Sequence, residues 1–403
     1  MKPVVLASKP SSRPATGRSW IGEKLYFQGD EYFRDLLEAI RHAKATVDFE
    51  TYIFEKGRLG DLVVSTLQKA AARGVQVRLL VDGIGSPDFE EWYGRRLADS
   101  GVQYRVYRSW KAMFAALFGR MGFSLMEDLR GLRTLWHWGG HRDHRKLCIV
   151  DGKRVWVGGF NVSDQHLEGV HGDKAWRDTG MALTGVKTDA FHLAFHLAWE
   201  ENARYRLGFS QRKKLVRRIS HDVLEEPVRL NVTRRLRFLF NRRLAQRLVE
   251  ARKRIWITTP YFVPTRALFK ALIKAARRGC DVRLVLPGPS DVPMVKWVSM
   301  VFYPHLLKAG CRIYEYQSRV LHAKTLLIDD RAYVGSSNLN HRSLLHDLEI
   351  VVLPQKKASL RGLDRQFELD MRMSREATLK DLKERPFWSR ALSAVFFRFR
   401  YWF

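Results

Sequence analysis

The chain repeats itself, and the repeat limits the folds open to it more than any other feature. "AAARGVQVRLLVDG" (70–83) matches "KAARRGCDVRLVLPG" (274–288), setting Gly74 against Gly279. Both read as a helix end, a glycine stop and a buried strand. Upstream, "AKATVDFETYIF" (43–54) parallels "ARKRIWITTPYFV" (251–263), again a helix running into a strand. Downstream, "HRKLCIVD" (144–151) answers "HAKTLLID" (322–329). Each half reads helix, strand, helix, strand and motif strand, which predicts mixed α/β halves with largely parallel sheets and helices over their faces. With 403 residues and 46% hydrophobic content, both halves can bury a core.

The repeats fall out of step by 27 residues, so the first half carries an insert near 109–138. There Trp110, Met113, Phe114, Leu117, Phe118 and Met121 form an apolar stripe at helical spacing. The matching half folds without this segment, so the stripe has no inherited core slot. It is read either as a helix packed on the core or as a membrane-contacting or gating helix, with Trp110, Phe114 and Phe118 as its contacts. The halves are set at 20–205 and 246–375, with an Arg-rich connector at 206–245. Pro227 interrupts any single helix there, and the interleaved Phe238, Leu239, Phe240 and Leu244 suggest an amphipathic surface facing acidic headgroups. The tail, 376–403, ends in alternating aromatic and basic residues. Phe399 and Trp402, beside Arg398 and Arg400, suit an interfacial anchor.

Lys and Arg number 71 against 42 Asp and Glu, a net charge of +29, so the partners should be anionic: nucleic acid, an acidic membrane or phosphorylated small molecules. Cys148, Cys280 and Cys311 stand far apart in apolar runs and read as packed free thiols, which suits a reducing compartment. No uncharged apolar stretch of about 18 residues and no signal-peptide core is visible, so a spanning or exported protein is not expected.

The chemistry lies in the two motif strands. Alternate residues of a strand share a face, so His144 pairs with Lys146 and His322 with Lys324. If the halves pack about a pseudo-twofold axis, two His and two Lys converge on one phosphodiester site. The lysines hold nonbridging oxygens, one neutral imidazole attacks phosphorus and one imidazolium protonates the leaving oxygen. An unperturbed pKa near 6.5 makes both forms accessible at neutral pH. "VGGFN" supplies Asn161 and "VGSSN" supplies Ser336, Ser337 and Asn338 as donors toward phosphate. Asp178 and Glu349 follow where a returning strand can orient a His through its other ring nitrogen. No metal or cofactor is demanded. A third, shorter stretch, "HAKATVD" at 42–48, has the wrong spacing and lacks the Gly-Asn block, so His42 and Lys44 read as surface helix residues.

These residues resemble the phospholipase D superfamily, whose signature is HxKxxxxD followed by a small-residue and Asn block. More closely, from about Gly29 to Pro354, the chain resembles bacterial cardiolipin synthases of the type lacking N-terminal transmembrane helices. The stretches that carry this include "ETYIF", "HRKLCIVDGK", "YFVP" and "VGSSNLNHRS". The resemblance implies an α/β fold, a duplicated α/β/α sandwich whose pseudo-twofold halves share one active site. It implies transfer of a phosphatidyl group through a phosphohistidine to an alcohol, typically the headgroup of phosphatidylglycerol. His144, Lys146, Asp151, His322, Lys324 and Asp329 form the catalytic set, the two Asp being mainly structural in the family. His144 is taken as nucleophile and His322 as general acid. Asn161, Ser336 and Asn338 cradle phosphate, and Asp178 and Glu349 orient the His residues. The implied partners are anionic phospholipids and a membrane surface, with phosphatidylethanolamine as an alternative donor. The implied location is the cytoplasmic face of the bacterial membrane, peripherally bound.

Two other classes compete. With water as acceptor the same tetrad makes a phospholipase or nuclease; the charge suits nucleic acid, but the amphipathic insert and aromatic tail have no use there, so nucleic acid is disfavoured. A non-catalytic lipid-binding protein is opposed by both motifs being intact.

Overall fold

In the computed structural model the described residues are 20–109, 141–185, 189–201, 228–384, 393 and 395–398. The insert stripe with Trp110, Phe114 and Phe118, and the tail residues Phe399 and Trp402, lie outside them. The first half builds a seven-stranded sheet from β1 (Gly22–Tyr26), β2 (Thr46–Thr51), β3 (Gln76–Asp82), β4 (Gln103–Tyr107), β5 (Leu147–Val150), β6 (Arg154–Gly158) and β7 (Gly180–Thr184). Its order is β1-β7-β6-β5-β2-β3-β4. The second builds an eight-stranded sheet from β8 (Val228–Leu230), β9 (Arg254–Thr258), β10 (Asp281–Pro287), β11 (Arg312–Tyr316), β12 (Thr325–Ile328), β13 (Arg331–Gly335), β14 (Ile350–Val352) and β15 (Ser374–Ala377). Its order is β15-β11-β10-β9-β12-β13-β14-β8.

The sheets are less parallel than expected. Only β2-β3-β4 and β9-β10-β11 run parallel. Each motif strand enters antiparallel to its neighbour and turns straight back as a hairpin. The hairpin turns are too short for a helical crossover, so a parallel return is sterically closed.

Strand alternation divides the core. Cys148 and Val150 point outward to helices Gly29–Arg41 and Arg58–Ala72, whereas Leu147 and Ile149 point inward. In the second half Leu326 and Ile328 face outward and Leu327 inward. The two inner faces form one shared core in which Leu147, Val157 and Met181 join Leu327, Val334 and Val352. Two helices, Asp189–Glu201 and Lys357–Arg372, contribute Phe195 and Phe367 to it. The result is two sheets back to back with helices outside. All three cysteines are buried and unpaired.

Asp151 and Asp329 sit at the far ends of β5 and β12, away from the His residues of their motifs. Asp151 accepts the backbone N–H groups of Lys44, Ala45 and Thr46, and Asp329 those of Arg252, Lys253 and Arg254. Each carboxylate thereby latches the loop entering the neighbouring antiparallel strand, β2 or β9. Both occupy left-handed backbone, with φ of 51° and 53°, which Asp and Asn tolerate better than most residues. Asp151→Ala removes the acceptors and strains the turn, costing about 2 kcal/mol. Thermal melting should fall by several degrees in this variant and less in Asp151→Asn. Equal melting of all three proteins would contradict the latch. The same loop accounts for the third stretch: His42 and Lys44 are exposed beyond the end of helix Gly29–Arg41.

Candidate active site

The motif His and Lys residues precede their strands rather than lying within them. They occupy extended leads that bridge between the halves. Arg177 pairs in parallel with Leu321, and Asp143 with Leu348. His322 N donates to Arg177 O (2.8 Å) and His144 N to Leu348 O (3.1 Å). This backbone exchange brings each acid beside the His of the opposite half. Glu349 takes His144 Nδ1 at 3.0 Å, and Asp178 takes His322 Nδ1 at 2.5 Å. Neither half alone holds a complete pair.

Lys146 Nζ donates to His144 O at 2.7 Å. Lys324 Nζ reaches both His322 O (2.5 Å) and His322 Nε2 (2.8 Å). All six side chains are buried. The two sides differ: His322 Nε2 is held by Lys324, whereas His144 Nε2 carries no hydrogen bond among the described residues.

Burial and close positive charges set the proton affinities. Burial, with Lys146 and Lys324, pushes His144 well below 6.5. Burial and Lys324 lower Lys146 to about 7, and burial lowers Lys324 to about 8. His322 is lowered by burial and Lys324 against the pull of Asp178. Burial alone would raise Asp178, but His322 and Lys324 outweigh it and hold it at about 2. Glu349 goes the other way, raised by burial to about 7 despite Lys146. One dyad therefore carries a fixed negative charge, and the other an acid that titrates near neutrality.

The Asn and Ser residues divide in use. Asn161 accepts from Ile53 N at 3.3 Å, and its buried Nδ2 has no partner. Asn338 leaves its Oδ1 unpaired. Asn161 can therefore offer its free N–H to a bound oxygen, whereas the unpaired atom of Asn338 is an acceptor and only its Nδ2 could serve such an oxygen. Ser336, expected at the phosphate, is instead fully buried with its hydroxyl donating to Glu349 and accepting Ile350 N at 3.1 Å. In the first half that position is Gly159, where a Cβ would fall 2.0 Å from Asp178 Oδ1. A side chain is excluded on the Asp178 side and is used as a clamp on the Glu349 side.

Sequence reasoning missed the aromatic walls. The Tyr52 ring lies 4.9 Å from the His144 ring and 5.1 Å from Lys146 Nζ. Trp176 and His166 flank His322 at 5.3 and 5.7 Å. Tyr52 lies within "ETYIF" and Trp176 directly precedes the Arg-Asp pair, so adjacency to recognised stretches was the available signal. His166, Asp178 and His322 bring potential ligand atoms within 4.8 Å, a grouping that resembles a metal site. Its atoms are largely engaged, however. Asp178 accepts from His322 and from Thr179 N (2.7 Å), and His166 Nε2 accepts from Asn161 N (3.2 Å). That pattern is a hydrogen-bonded dyad with a supporting imidazole.

A family model described as "Cardiolipin synthase, PLD-like domain" matches residues 36–172 and 244–371, one copy on each half of the site. The chain belongs to the cardiolipin synthase family. It is 30% identical over 375 residues to the cardiolipin synthase of Staphylococcus aureus strain N315, covering 91% of this chain and 70% of that one. To the cardiolipin synthase of Clostridium perfringens strain 13 it is 28% identical over 371 residues, covering 91% and 74%. The fold is that of the phosphatidylserine synthase of Haemophilus influenzae Rd KW20, with a TM-score of 0.64 at 13% identity over 94% of this chain and 93% of that chain. A cardiolipin synthase family member acts on phospholipid. No helix among the described residues is long and apolar enough to cross a membrane.

Proposed function

We propose that the protein is a cardiolipin synthase that moves a phosphatidyl group onto phosphatidylglycerol through a phosphohistidine on His144. The observation carrying this reading is the crossed pairing of each motif His with an acid of the other half, around two buried lysines. His144 Nε2 attacks phosphorus as the bond to the leaving headgroup oxygen breaks, and His322 gives that oxygen its proton. The acceptor hydroxyl then attacks the phosphohistidine, its proton passes to His322, and the P–N bond breaks. Asp178, ionised throughout, opposes the lowering that burial and Lys324 impose on His322. Glu349, once ionised, accepts Nδ1–H of His144 and leaves the Nε2 lone pair for attack. Lys146, Lys324, Asn161 and Asn338 hold the phosphate oxygens.

The donor is phosphatidylglycerol, with phosphatidylethanolamine as the alternative, and the site of action is the cytoplasmic face of the membrane. The net charge of +29, and exposed Phe238 among Arg234, Arg235 and Arg242 on helix Arg234–Glu250, support a peripheral approach to anionic lipid. Vesicles of phosphatidylglycerol, with and without phosphatidylethanolamine, should yield cardiolipin by lipid mass spectrometry. Phosphatidic acid as the sole product would overturn the transferase reading.

The lowered lysines make a second expectation. An anion between Lys146 and Lys324 restores their basicity, so binding of inorganic phosphate at pH 8 should take up protons. Affinity should weaken as pH rises from 7 to 9, because the empty site loses lysine protons over that window. Calorimetry in buffers of different ionisation enthalpy measures this directly; binding without proton uptake would count against the lysine assignment.

A further inference from the structure

We infer that Asp291 recognises the headgroup of the alcohol exchanged at His322, its free carboxylate oxygen accepting a hydroxyl on the carbon next to the reacting oxygen. This rests on the transferase reading above and adds a specificity residue to it. Asp291 stands in the loop that follows β10. Tyr261 donates its hydroxyl to Asp291 Oδ2, which fixes the carboxylate. Asp291 Oδ1 is buried and has no hydrogen-bond partner among the described residues. A buried polar atom left in this state is costly, and a carboxylate oxygen can only accept. The missing partner is therefore a donor.

The acid sits at the reacting centre. β9 pairs antiparallel with β12 through Thr258 and Thr325, so the chain leaving β9 at Thr259 and Tyr261 runs beside the lead that carries Lys324 and His322. The Asp291 charge acts on both His322 and Lys324, opposing proton loss from each. With His144 attacking phosphorus in line, the oxygen that leaves or enters lies on the opposite, His322 side. The first half shows the same loop without this feature. Gly83 N and Gly288 N donate alike to Tyr107 O (2.7 Å) and Tyr316 O (2.8 Å), and counting on from them makes Ser86 the counterpart of Asp291. Ser86 is buried and engaged with backbone on both counts, accepting from Phe54 N at 2.8 Å and donating to Tyr52 O at 3.0 Å. Asp291 instead reaches a side chain and keeps one oxygen open. A glycerol headgroup supplies the matching donor. Its middle carbon bears a hydroxyl beside both the oxygen that leaves a donor and the oxygen that attacks from an acceptor, so one carboxylate oxygen serves both steps.

The test lets two alcohols compete for one phosphatidyl-enzyme. The protein is incubated with a 4-nitrophenyl phosphatidyl donor and equal concentrations of 1,2-propanediol and 1-propanol, and the two phosphatidyl alcohols are measured by lipid mass spectrometry. Both products arise from the same intermediate, so their ratio is insensitive to a general loss of rate or of folded protein. The wild type should favour the diol by about tenfold or more, the worth of one hydrogen bond to a charged acceptor. Asp291→Ala should bring the ratio close to unity. Asp291→Asn, of the same shape but uncharged, should lower it less and serves in place of an alanine variant that melts early. A wild-type ratio near unity, or a ratio unchanged in both variants, overturns the assignment and leaves the transferase reading standing. Phosphatidic acid with neither alcohol product overturns the transferase reading and the assignment with it.

Discussion

His144→Ala and His322→Ala should each reduce cardiolipin formation by about 10⁴-fold, and an activated donor should separate them. On the proposed mechanism each variant loses a group that acts in both chemical steps or in the covalent intermediate, so effects at the upper end of acid–base catalysis are expected. A donor with a 4-nitrophenyl leaving group needs no proton to depart. With it, His322→Ala should release one equivalent of nitrophenol in a burst and then stall, because the acceptor hydroxyl finds no base. His144→Ala should show no burst. The assignment follows from His144 Nε2 standing without a hydrogen bond among the described residues while Lys324 holds His322 Nε2, and from Asp178 resisting the lowering of His322. The reverse pattern would exchange the two roles.

The two acids should fail differently with pH. Asp178 lies at about 2 and is ionised at any working pH. Asp178→Asn therefore lowers kcat/KM by on the order of 10²–10³ and, by removing the charge that holds Lys324 up, moves the alkaline limb to lower pH while the acidic limb stays in place. Glu349 lies at about 7. Protonated, it donates to His144 Nδ1 and favours the tautomer with a proton on Nε2, which cannot attack; ionised, it accepts from Nδ1 and frees Nε2. Wild-type kcat/KM should thus rise with pH through about 7 and fall again as Lys146 and Lys324, at about 7 and 8, lose their protons. In Glu349→Gln the side-chain oxygen accepts from Nδ1 at every pH. The acidic limb should disappear while the maximal rate drops by roughly 10- to 100-fold. The penalty relative to wild type then grows from pH 6 to pH 8. An acidic limb that survives in Glu349→Gln would place its origin elsewhere.

Much of this molecule can be read from local text. The helix-glycine-strand repeats are short-range signals and reappear as β2-β3 and β9-β10 with their preceding helices. The spacing of His, Lys and Asp likewise marks both leads into β5 and β12. What local text does not carry is the exchange between halves. The partners His144 and Glu349 are 205 residues apart, and nothing in either segment states that the Asp143 and Leu348 leads pair. Asp178 and Glu349 were visible as acids after each motif, but which His each faces depends on that pairing. Ser336 was misread because "VGSSN" and "VGGFN" align as phosphate-donor blocks. Only the packing of Asp178 against Gly159 and of Glu349 against Ser336 separates them. Interleaved apolar residues of the connector misled in a similar way. Leu244 is buried and Phe240 half-buried against the second sheet, leaving Phe238 exposed. Helical phase, which decides inside from outside, needs the neighbouring sheet to be known.

The covalent step is tested most directly by trapping it. His322→Ala is mixed with a 4-nitrophenyl phosphatidyl donor, denatured in alkali, which preserves phosphohistidine, digested and mapped by mass spectrometry. A phosphatidyl mass is expected on the peptide containing His144, and none on the peptide containing His322 when His144→Ala is treated alike. A phosphatidyl mass on His322 in that second experiment, or product formation with no adduct on either peptide, would contradict it.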